Sequence, residues 1–267
     1  LRLAGFTDTG CSRSAILRSG PTGTTAMSTD AVSYELNDAV ATIRIDVGKR
    51  NALSPAILEA LYAAFDRAKA DGAAVILTGR DSVLSAGFDL KVMKKGGTHA
   101  LRMLRAGYGL TAHVMAHPHP VVVACNGHAM AMGVFLMLAA DYIVGSRGDF
   151  RIAANEVAIG LPMPRVAAAM LEHRLTPAAY QRAVTLSEFF DVDSALQAGF
   201  LDDLVEPDDL MDRATEHMAE FRKLPAGAHA DAKRRIRGKL IRQIKFDIWR
   251  DLFDAVMLGI RGGGPRT

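Results

Sequence analysis

The sequence predicts an α/β fold with crossover connections, followed by a helix-dominated C-terminal region. Two short apolar runs that end in glycine, AAVILTG and PVVVACNG, are typical of buried parallel strands. The segment between them, ALRMLRAGYGLTAHVMA, has the apolar spacing of a helix. Strands that alternate with helices in this way indicate a parallel sheet with helices packed on it.

The regular part of the chain begins near Val32. VSYELND and VATIRIDV alternate apolar and polar residues around Asn37 and Asp38, which predicts an antiparallel hairpin. An amphipathic helix follows, with Ser54 as its N-cap and Pro55 at its first position. From about Pro207 the pattern is mainly helical, and no internal sequence repeat is apparent.

Composition limits the function classes. The chain has 267 residues and 49% hydrophobic content, enough for one large core, and its net charge of +3 is too balanced to favour a nucleic-acid partner. Cys11 and Cys125 lie in different contexts, which predicts neither a disulfide scaffold nor a metal site. The longest apolar run, Ala129 to Ala140, falls short of the roughly 18 residues of a membrane span. We expect a cytoplasmic protein, and the arginine and alanine bias favours a bacterial source.

Three regions are expected along the chain. Residues 1–26 are rich in Arg, Ser, Thr and Gly and nearly free of acids, which is typical of a transit peptide or of a leader outside the fold, and we favour the leader. Residues 27–206 form the predicted core domain. Residues 207–267 form a helical region predicted to mediate oligomerisation.

Two loops each connect a strand to a helix, the usual ligand-binding position in open α/β sheets. They are LSAGFDL and CNGHAMAMG. A backbone N–H at the start of a helix has no partner inside that helix and lies at the positive end of its dipole. Two such groups from two loops would form an oxyanion hole.

At these motifs the chain resembles the crotonase, or enoyl-CoA hydratase/isomerase, superfamily, whose members act on coenzyme A thioesters. The resemblance runs from about Val32 to about Asp254. It rests on five motifs in the expected order: NALS, SAGFDL, CNGHAMAMGVFLMLAADYIVG, NEVAIGL and AGFLDDLV. It implies a ClpP-like spiral of repeated ββα units with a helical C-terminal trimerisation region.

The resemblance also implies roles for residues of the two loops. The thioester oxygen would be bound by the backbone N–H groups of Ala86 and Met132. Asp89 is a candidate helix N-cap as well as a site residue. The further substrate-binding candidates are Gly87, Phe88, Asp89, Gly133 and Phe135, with Lys94, Lys95 and Lys233 as candidates for the phosphates of CoA.

One departure from the family's hydratases decides the expected reaction. Those enzymes carry two glutamates; the first aligns with Phe135, which can neither take nor give a proton, and the second aligns with Glu156. The Asn155-Glu156 pair resembles instead the mitochondrial-type enoyl-CoA isomerases, which also have an apolar residue in place of the first glutamate. One carboxylate suffices to move a double bond, whereas hydration also needs a positioned water. An apolar surrounding would raise the pKa of Glu156, unless it pairs with Arg151 or Arg165.

The predicted function is isomerisation of 3-enoyl-CoA to 2-enoyl-CoA, with no cofactor because CoA is part of the substrate. A hydratase and a catalytically weak acyl-CoA binding protein are the alternatives. The histidines near Pro118, at positions 113, 117 and 119, are expected at the surface, and no metal site is predicted. We expect a homo-oligomer, a trimer or hexamer. The apolar residues offered to a neighbour are Ile241, Ile244, Trp249, Leu252 and Phe253.

Overall fold

The computed structural model describes residues 27–29 and 31–260. The leader expected over residues 1–26 therefore lies outside the described residues. Strands β2 (Val32–Asn37) and β3 (Val40–Ile45) pair antiparallel, which confirms the hairpin. Both residues of its turn, Asp38 and Ala39, have positive φ, at 45° and 54°, as the two-residue turns that fit the twist of a hairpin require.

Two sheets form the centre of the fold. The remaining strands of the larger, seven-stranded sheet are β1 (Met27–Thr29), β4 (Ala74–Thr78), β6 (Val121–Cys125), β8 (Tyr142–Ser146) and β10 (Asp203–Val205). Its order is β1-β2-β3-β4-β6-β8-β10, parallel from β3 onward. The smaller, wholly parallel sheet contains β5 (Val83–Ser85), β7 (His128–Met130) and β9 (Ile152–Ala153).

The two sheets arise from a repeated ββα unit, as the resemblance implied. In each unit the first strand joins the large sheet and the second joins the small sheet, and a helix follows. The helices that follow the successive units are α2 (Leu90–Lys95) with α3 (Gly97–Met115), α4 (Met132–Leu138) and α5 (Arg165–Arg174). Because β5, β7 and β9 are parallel neighbours, the residues that follow them lie at one edge of the small sheet.

The other helices cover the core. Helix α1 (Pro55–Ala70) starts as predicted, since Ser54 Oγ accepts a hydrogen bond from the Ile57 N–H. The others are α6 (Pro177–Leu186), α7 (Val192–Ala198), α8 (Leu210–Phe221) and α9 (Ala226–Ile260). Helix α8 packs Leu210, Ala214 and Met218 on one face of the large sheet. No helix within the described residues has the length and apolar character needed to cross a membrane.

The long helix α9 packs against α3 and α5. Ile244 is wholly buried in the core, and Ile241 and Leu252 pack against it. Ile244 is therefore structural, contrary to the expectation that it faces a neighbour. Ile241 and Leu252 are partly exposed, and Trp249 and Phe253 are exposed.

An acid of α9 holds the start of α5. The Asp251 carboxylate accepts hydrogen bonds from the backbone N–H groups of Arg165 and Val166, each at 3.0 Å. It acts as the N-cap that Pro164, the residue preceding α5, cannot provide. The C-terminal helix is thereby tied to the segment that follows Glu156.

Candidate active site

The first predicted loop leaves β5 at Ser85 and enters α2 through Asp89. Asp89 caps α2, because its Oδ1 accepts a hydrogen bond from the Lys91 N–H at 2.8 Å. The Ser85 hydroxyl donates to the Asn51 carbonyl at 2.7 Å and accepts from the Gly87 N–H at 3.1 Å. These two hydrogen bonds fix the backbone of the loop around Ser85.

The free backbone N–H of this loop belongs to Phe88 and not to Ala86. The Ala86 N–H donates to the Arg50 carbonyl at 2.9 Å, so it is not available to a ligand oxygen. Leu53 bonds to the backbone on either side of Phe88, at 2.8 and 3.2 Å, which turns the Phe88 N–H away from Leu53. Within residues 31–260 this N–H has no partner. The prediction of a free N–H at Ala86 is therefore wrong, and Phe88 is the candidate in its place.

The second loop passes from β7 into α4 at Ala131, whose backbone has φ 48° and ψ −123°. Such a conformation is rare for a residue with a Cβ and costs about 1–3 kcal/mol. It directs the chain into α4, where the N–H groups of Met132 and Gly133 lie in the first turn. Neither N–H has a partner in the described part of the chain. Met132 thus carries a free N–H where the sequence analysis expected one.

Two glycines allow the loops to touch. A Cβ added to Gly87 would lie 3.0 Å from the Met130 carbonyl oxygen and 3.2 Å from the Met132 nitrogen. One added to Gly133 would lie 2.4 Å from the Ser85 carbonyl oxygen. The unpartnered N–H groups of Phe88 and Met132 are therefore carried by loops in direct contact, as an oxyanion hole requires.

Glu156 follows β9, the strand that pairs with the second loop. The Ala131 N–H donates to the Ala153 carbonyl at 2.9 Å, and Glu156 lies three residues further along the chain. Its side chain is 7% exposed, and its Oε2 is buried with no hydrogen-bond partner among the described residues. An acid without a partner therefore lies close to the two loops.

Burial controls the proton affinity of this acid. It raises the pKa of Glu156 from 4.5 to about 7, opposed only by a hydrogen bond from the residue's own backbone. Pairing with an arginine, the alternative left open by the sequence, does not occur. Arg151 pairs with Asp149 at 2.8 Å, and Arg165 pairs with Asp251 at 3.2 Å. Glu156 is thus suited to accept and return a proton near neutral pH.

Phe135, at the position of the family's first glutamate, lies inside the core. It is on the first turns of α4 and is 1% exposed. Met132, on the same helix, is also fully buried. The side chain present at position 135 can therefore bind neither a proton nor a water.

The three candidate lysines have different surroundings. Lys94 and Lys95 are exposed at the end of α2, where a phosphate could reach them. Lys233 is 5% exposed and its Nζ lies 2.6 Å from Asp141, which also pairs with Arg237 at 2.9 Å. Burial lowers the pKa of Lys233 to about 8. The prediction that Lys233 contacts CoA is therefore wrong, because this lysine is a buried structural group.

The histidines near Pro118 form no metal site. His113 contacts Asp66 at 2.9 Å, whereas His117 is buried and bonds to the Ala73 carbonyl at 2.9 Å, so the expectation of a surface residue is wrong for His117. Burial lowers the pKa of His117 to about 4, which keeps it neutral. Within the described residues no cluster of His, Cys, Asp or Glu could hold a metal ion.

Sequence reasoning gave no role to two polar side chains of this region. Asn155, next to Glu156, has a buried Oδ1 with no partner inside the described ranges. Tyr108, on α3, is buried, and its pKa is raised well above 10, first by burial and then by the charge of Glu156. The sequence does not indicate a functional role for Tyr108, because its position has the spacing of a core residue on the buried face of an amphipathic helix.

Comparisons with known proteins agree with this geometry. A family profile described as enoyl-CoA hydratase/isomerase matches residues 35–250. A protein of Mycobacterium avium (strain 104) named as a probable enoyl-CoA hydratase is 34% identical over 186 residues, which are 68% of this chain and 72% of the relative.

Solved structures extend the likeness. An apo structure of an enoyl-CoA isomerase from Mycobacterium tuberculosis is similar with a TM-score of 0.79 and 43% identity, covering 82% of this chain and 96% of that one. Human mitochondrial delta3-delta2-enoyl-CoA isomerase is similar with a TM-score of 0.82 and 25% identity, covering 87% of this chain and 94% of that one. Relatives named for hydration and for isomerisation thus share the fold.

Proposed function

The chain belongs to the enoyl-CoA hydratase/isomerase family, and within it we propose that it is an isomerase that converts a 3-enoyl-CoA into a 2-enoyl-CoA. The observation that carries this proposal is the isolation of Glu156. It is one buried acid without a counter-charge, and the position of the family's other glutamate holds the buried ring of Phe135. One carboxylate can move a double bond by itself, because the proton it removes can be returned at another carbon.

Each step can be assigned to a group of this chain. The Glu156 carboxylate removes a proton from the α-carbon, and the C–H electron pair delocalises through the thioester carbonyl to give a dienolate. The N–H groups of Phe88 and Met132 donate to the negative oxygen; losing one such donor costs roughly 3–4 kcal/mol in other enzymes. Glu156 then returns the proton to the γ-carbon, the carbonyl re-forms, and the double bond lies between the α- and β-carbons.

We propose an acyl-CoA thioester as the substrate and no separate cofactor, since CoA enters as part of the substrate. Lys94 and Lys95 are the candidates for its phosphates, because they are exposed and the structure gives them no ion-pair partner among the described residues. The mycobacterial relative supports a bacterial source, and a cytoplasmic location remains a prediction.

Hydration of a 2-enoyl-CoA is the second candidate function, favoured by the name of the Mycobacterium avium relative. Hydration requires a water held beside Glu156, and the apolar ring of Phe135 cannot hold one. A catalytically weak acyl-CoA binding protein is the third alternative, and the unpartnered acid beside two free N–H groups argues against it.

The deciding experiment offers the purified protein a 3-enoyl-CoA and a 2-enoyl-CoA in separate assays. We expect consumption of the 3-enoyl substrate, and Glu156→Gln should lower its turnover by at least about a hundredfold, the usual scale for losing a general base. Glu172→Gln, an exposed acid on α5, is the matched control and should keep full activity. Brisk hydration by the wild type without isomerisation, or near-normal isomerisation by Glu156→Gln, would overturn the proposal.

We also propose a trimer or hexamer, supported by the exposed aromatic residues Trp249 and Phe253 on α9. Sedimentation at micromolar concentration tests this. A monomer as the only species would contradict it, and Trp249→Glu with Phe253→Glu should shift an oligomer toward smaller species.

A further inference from the structure

Tyr108 lies on the side of α3 that packs against both oxyanion loops. Its ring meets the Phe88 ring edge to face, with centroids 5.8 Å apart. The preceding residue, Gly107, is so close to both loops that an added Cβ would lie 2.4 Å from the Phe88 ring and 3.3 Å from Met132 Sδ. This turn of α3 therefore forms one wall of the site.

The Tyr108 hydroxyl has no hydrogen-bond partner among the described residues, although the residue as a whole is 5% exposed. The other buried tyrosine, Tyr34, donates to Asp71 Oδ2 at 2.7 Å, and Tyr62 donates to the Ala106 carbonyl at 3.2 Å. A tyrosine hydroxyl that no protein group satisfies is free to bond to a ligand or a water.

The same region of the site holds the Glu156 carboxylate. The charge of Glu156 is the second cause, after burial, that raises the pKa of Tyr108, so the phenol stays protonated and remains a donor. The charge of Asp251 also raises the pKa of Tyr108. The two oxygens of Asp251, however, already accept hydrogen bonds from the Arg165 and Val166 N–H groups. Glu156 Oε2 is an unpartnered acceptor, and the Tyr108 hydroxyl forms no hydrogen bond to it. The contact that places Tyr108 at the site is the one between its ring and Phe88 of the first oxyanion loop.

We propose that the Tyr108 hydroxyl donates a hydrogen bond to an oxygen beside the β-carbon of the bound acyl group, either a water or a 3-hydroxyl. This inference rests on the proposed placement of the thioester in the oxyanion hole. For hydration of 2-enoyl-CoA, the second candidate function, Tyr108 would take over the water-holding task that Phe135 cannot perform. Tyr108 thus determines how the site divides its activity between hydration and isomerisation.

The hydration step balances with the groups present. The water oxygen forms a bond to the β-carbon while the double-bond electrons move to the thioester oxygen as an enolate. Glu156 accepts one proton from the water and returns it to the α-carbon, which restores the carbonyl. Tyr108 keeps its proton throughout and orients the attacking oxygen. Isomerisation uses no water, so it does not need this hydroxyl.

The test compares Tyr108→Phe with the wild type in both reactions. The variant keeps the ring and its contact with Phe88 and removes only the hydroxyl. We expect hydration of 2-enoyl-CoA to fall by about tenfold or more, the scale of one lost hydrogen bond to a reacting oxygen, with isomerisation within about threefold of wild type. Tyr62→Phe, whose hydroxyl bonds to backbone on the other side of α3, should leave the ratio of the two rates unchanged.

The outcomes separate this inference from the proposed function. A wild type that isomerises but shows no hydration, or a Tyr108→Phe variant in which both rates fall equally or neither falls, overturns the role of Tyr108. A protein that hydrates but does not isomerise, with hydration lost in Tyr108→Phe, supports Tyr108 and overturns the proposed isomerase. Thermal unfolding and the Kd for a saturated acyl-CoA show that each variant folds and binds.

Discussion

Replacing Glu156 by glutamine should stabilise the protein at alkaline pH and leave its stability unchanged at acid pH. The reason is that the folded chain buries this carboxyl without a partner. Ionisation in that position is unfavourable, whereas in the unfolded chain it is unopposed. Glutamine has nearly the same shape and carries no charge at any pH, so the variant lacks this cost.

The sign and size of this change in the free energy of unfolding follow from the pKa of Glu156. Burial raises the pKa of Glu156 from 4.5 to about 7, so the folded form binds the proton more tightly than the unfolded form. The stability contributed by the protonated acid is fully present below pH 4.5 and is lost as the pH rises through 7. At about 1.4 kcal/mol per pKa unit, this interval corresponds to about 3 kcal/mol. Glu156→Gln should therefore gain about that much over wild type at pH 8.5.

Urea unfolding of both proteins at several pH values between 4.5 and 8.5 measures the effect. The difference between variant and wild type isolates Glu156, because other titrating groups such as His117 contribute equally to both. A difference that stays constant with pH would refute the reasoning, as would a change centred near pH 4.5. In the wild type, kcat/KM for a 3-enoyl-CoA should rise with pH and level off above about 7, because Glu156 must be ionised to act as a base.

Three further substitutions test the supporting structure by urea unfolding at pH 7. Ala131→Gly should raise the free energy of unfolding by about 1 kcal/mol, because it removes backbone strain, and a loss of stability would contradict this. Lys233→Met should lower it by about 3 kcal/mol by breaking the buried pair with Asp141; a neutral result would mean that the pair is not structural. Asp251→Ala should lower it by about 1–2 kcal/mol through loss of the α5 cap, and Asp251→Asn should recover part of that loss.

The parts of the fold that the sequence predicted are those with strong local signals. The hairpin around Asp38 alternates clearly, and α1 begins with the Ser54-Pro55 pair. The strands β4 and β6 are continuous apolar runs. In each case the residues that determine the element lie within it, so periodicity and capping chemistry suffice.

The small sheet could not be derived in this way. Its strands contain two or three residues each, too few to show a period of two. Their pairing joins segments 23 to 45 residues apart. The repeated ββα unit is consequently visible in the backbone and not in the sequence. The repeated ββα unit was predicted only from the resemblance to a family, because local sequence patterns do not show how distant strands pair.

The two wrong site assignments have a common physical reason. Whether Ala86 or Phe88 has a free N–H depends on which backbone groups of the loop form hydrogen bonds with Arg50 and Leu53. Arg50 and Leu53 lie more than 30 residues earlier in the chain. Lys233 lies in a basic segment that looks exposed, but its side chain is buried and pairs with Asp141, 92 residues earlier in the chain. Hydrogen-bond register and buried charge pairs are tertiary properties, which a motif does not encode.

Glu156 owes its suitability as a base to packing and not to a neighbouring charge, since burial is the largest cause of its raised pKa. Glu156 lies between α3, which carries Tyr108, and α5, which begins nine residues after Glu156 along the chain. Helix α9 packs on both, and its Asp251 holds the start of α5. We therefore expect the proton affinity of Glu156 to depend on a helix nearly 100 residues further along the chain, because that helix holds α3 and α5 in place. A sequence comparison limited to the loop motifs would miss this dependence, because it lies in no residue that touches a substrate.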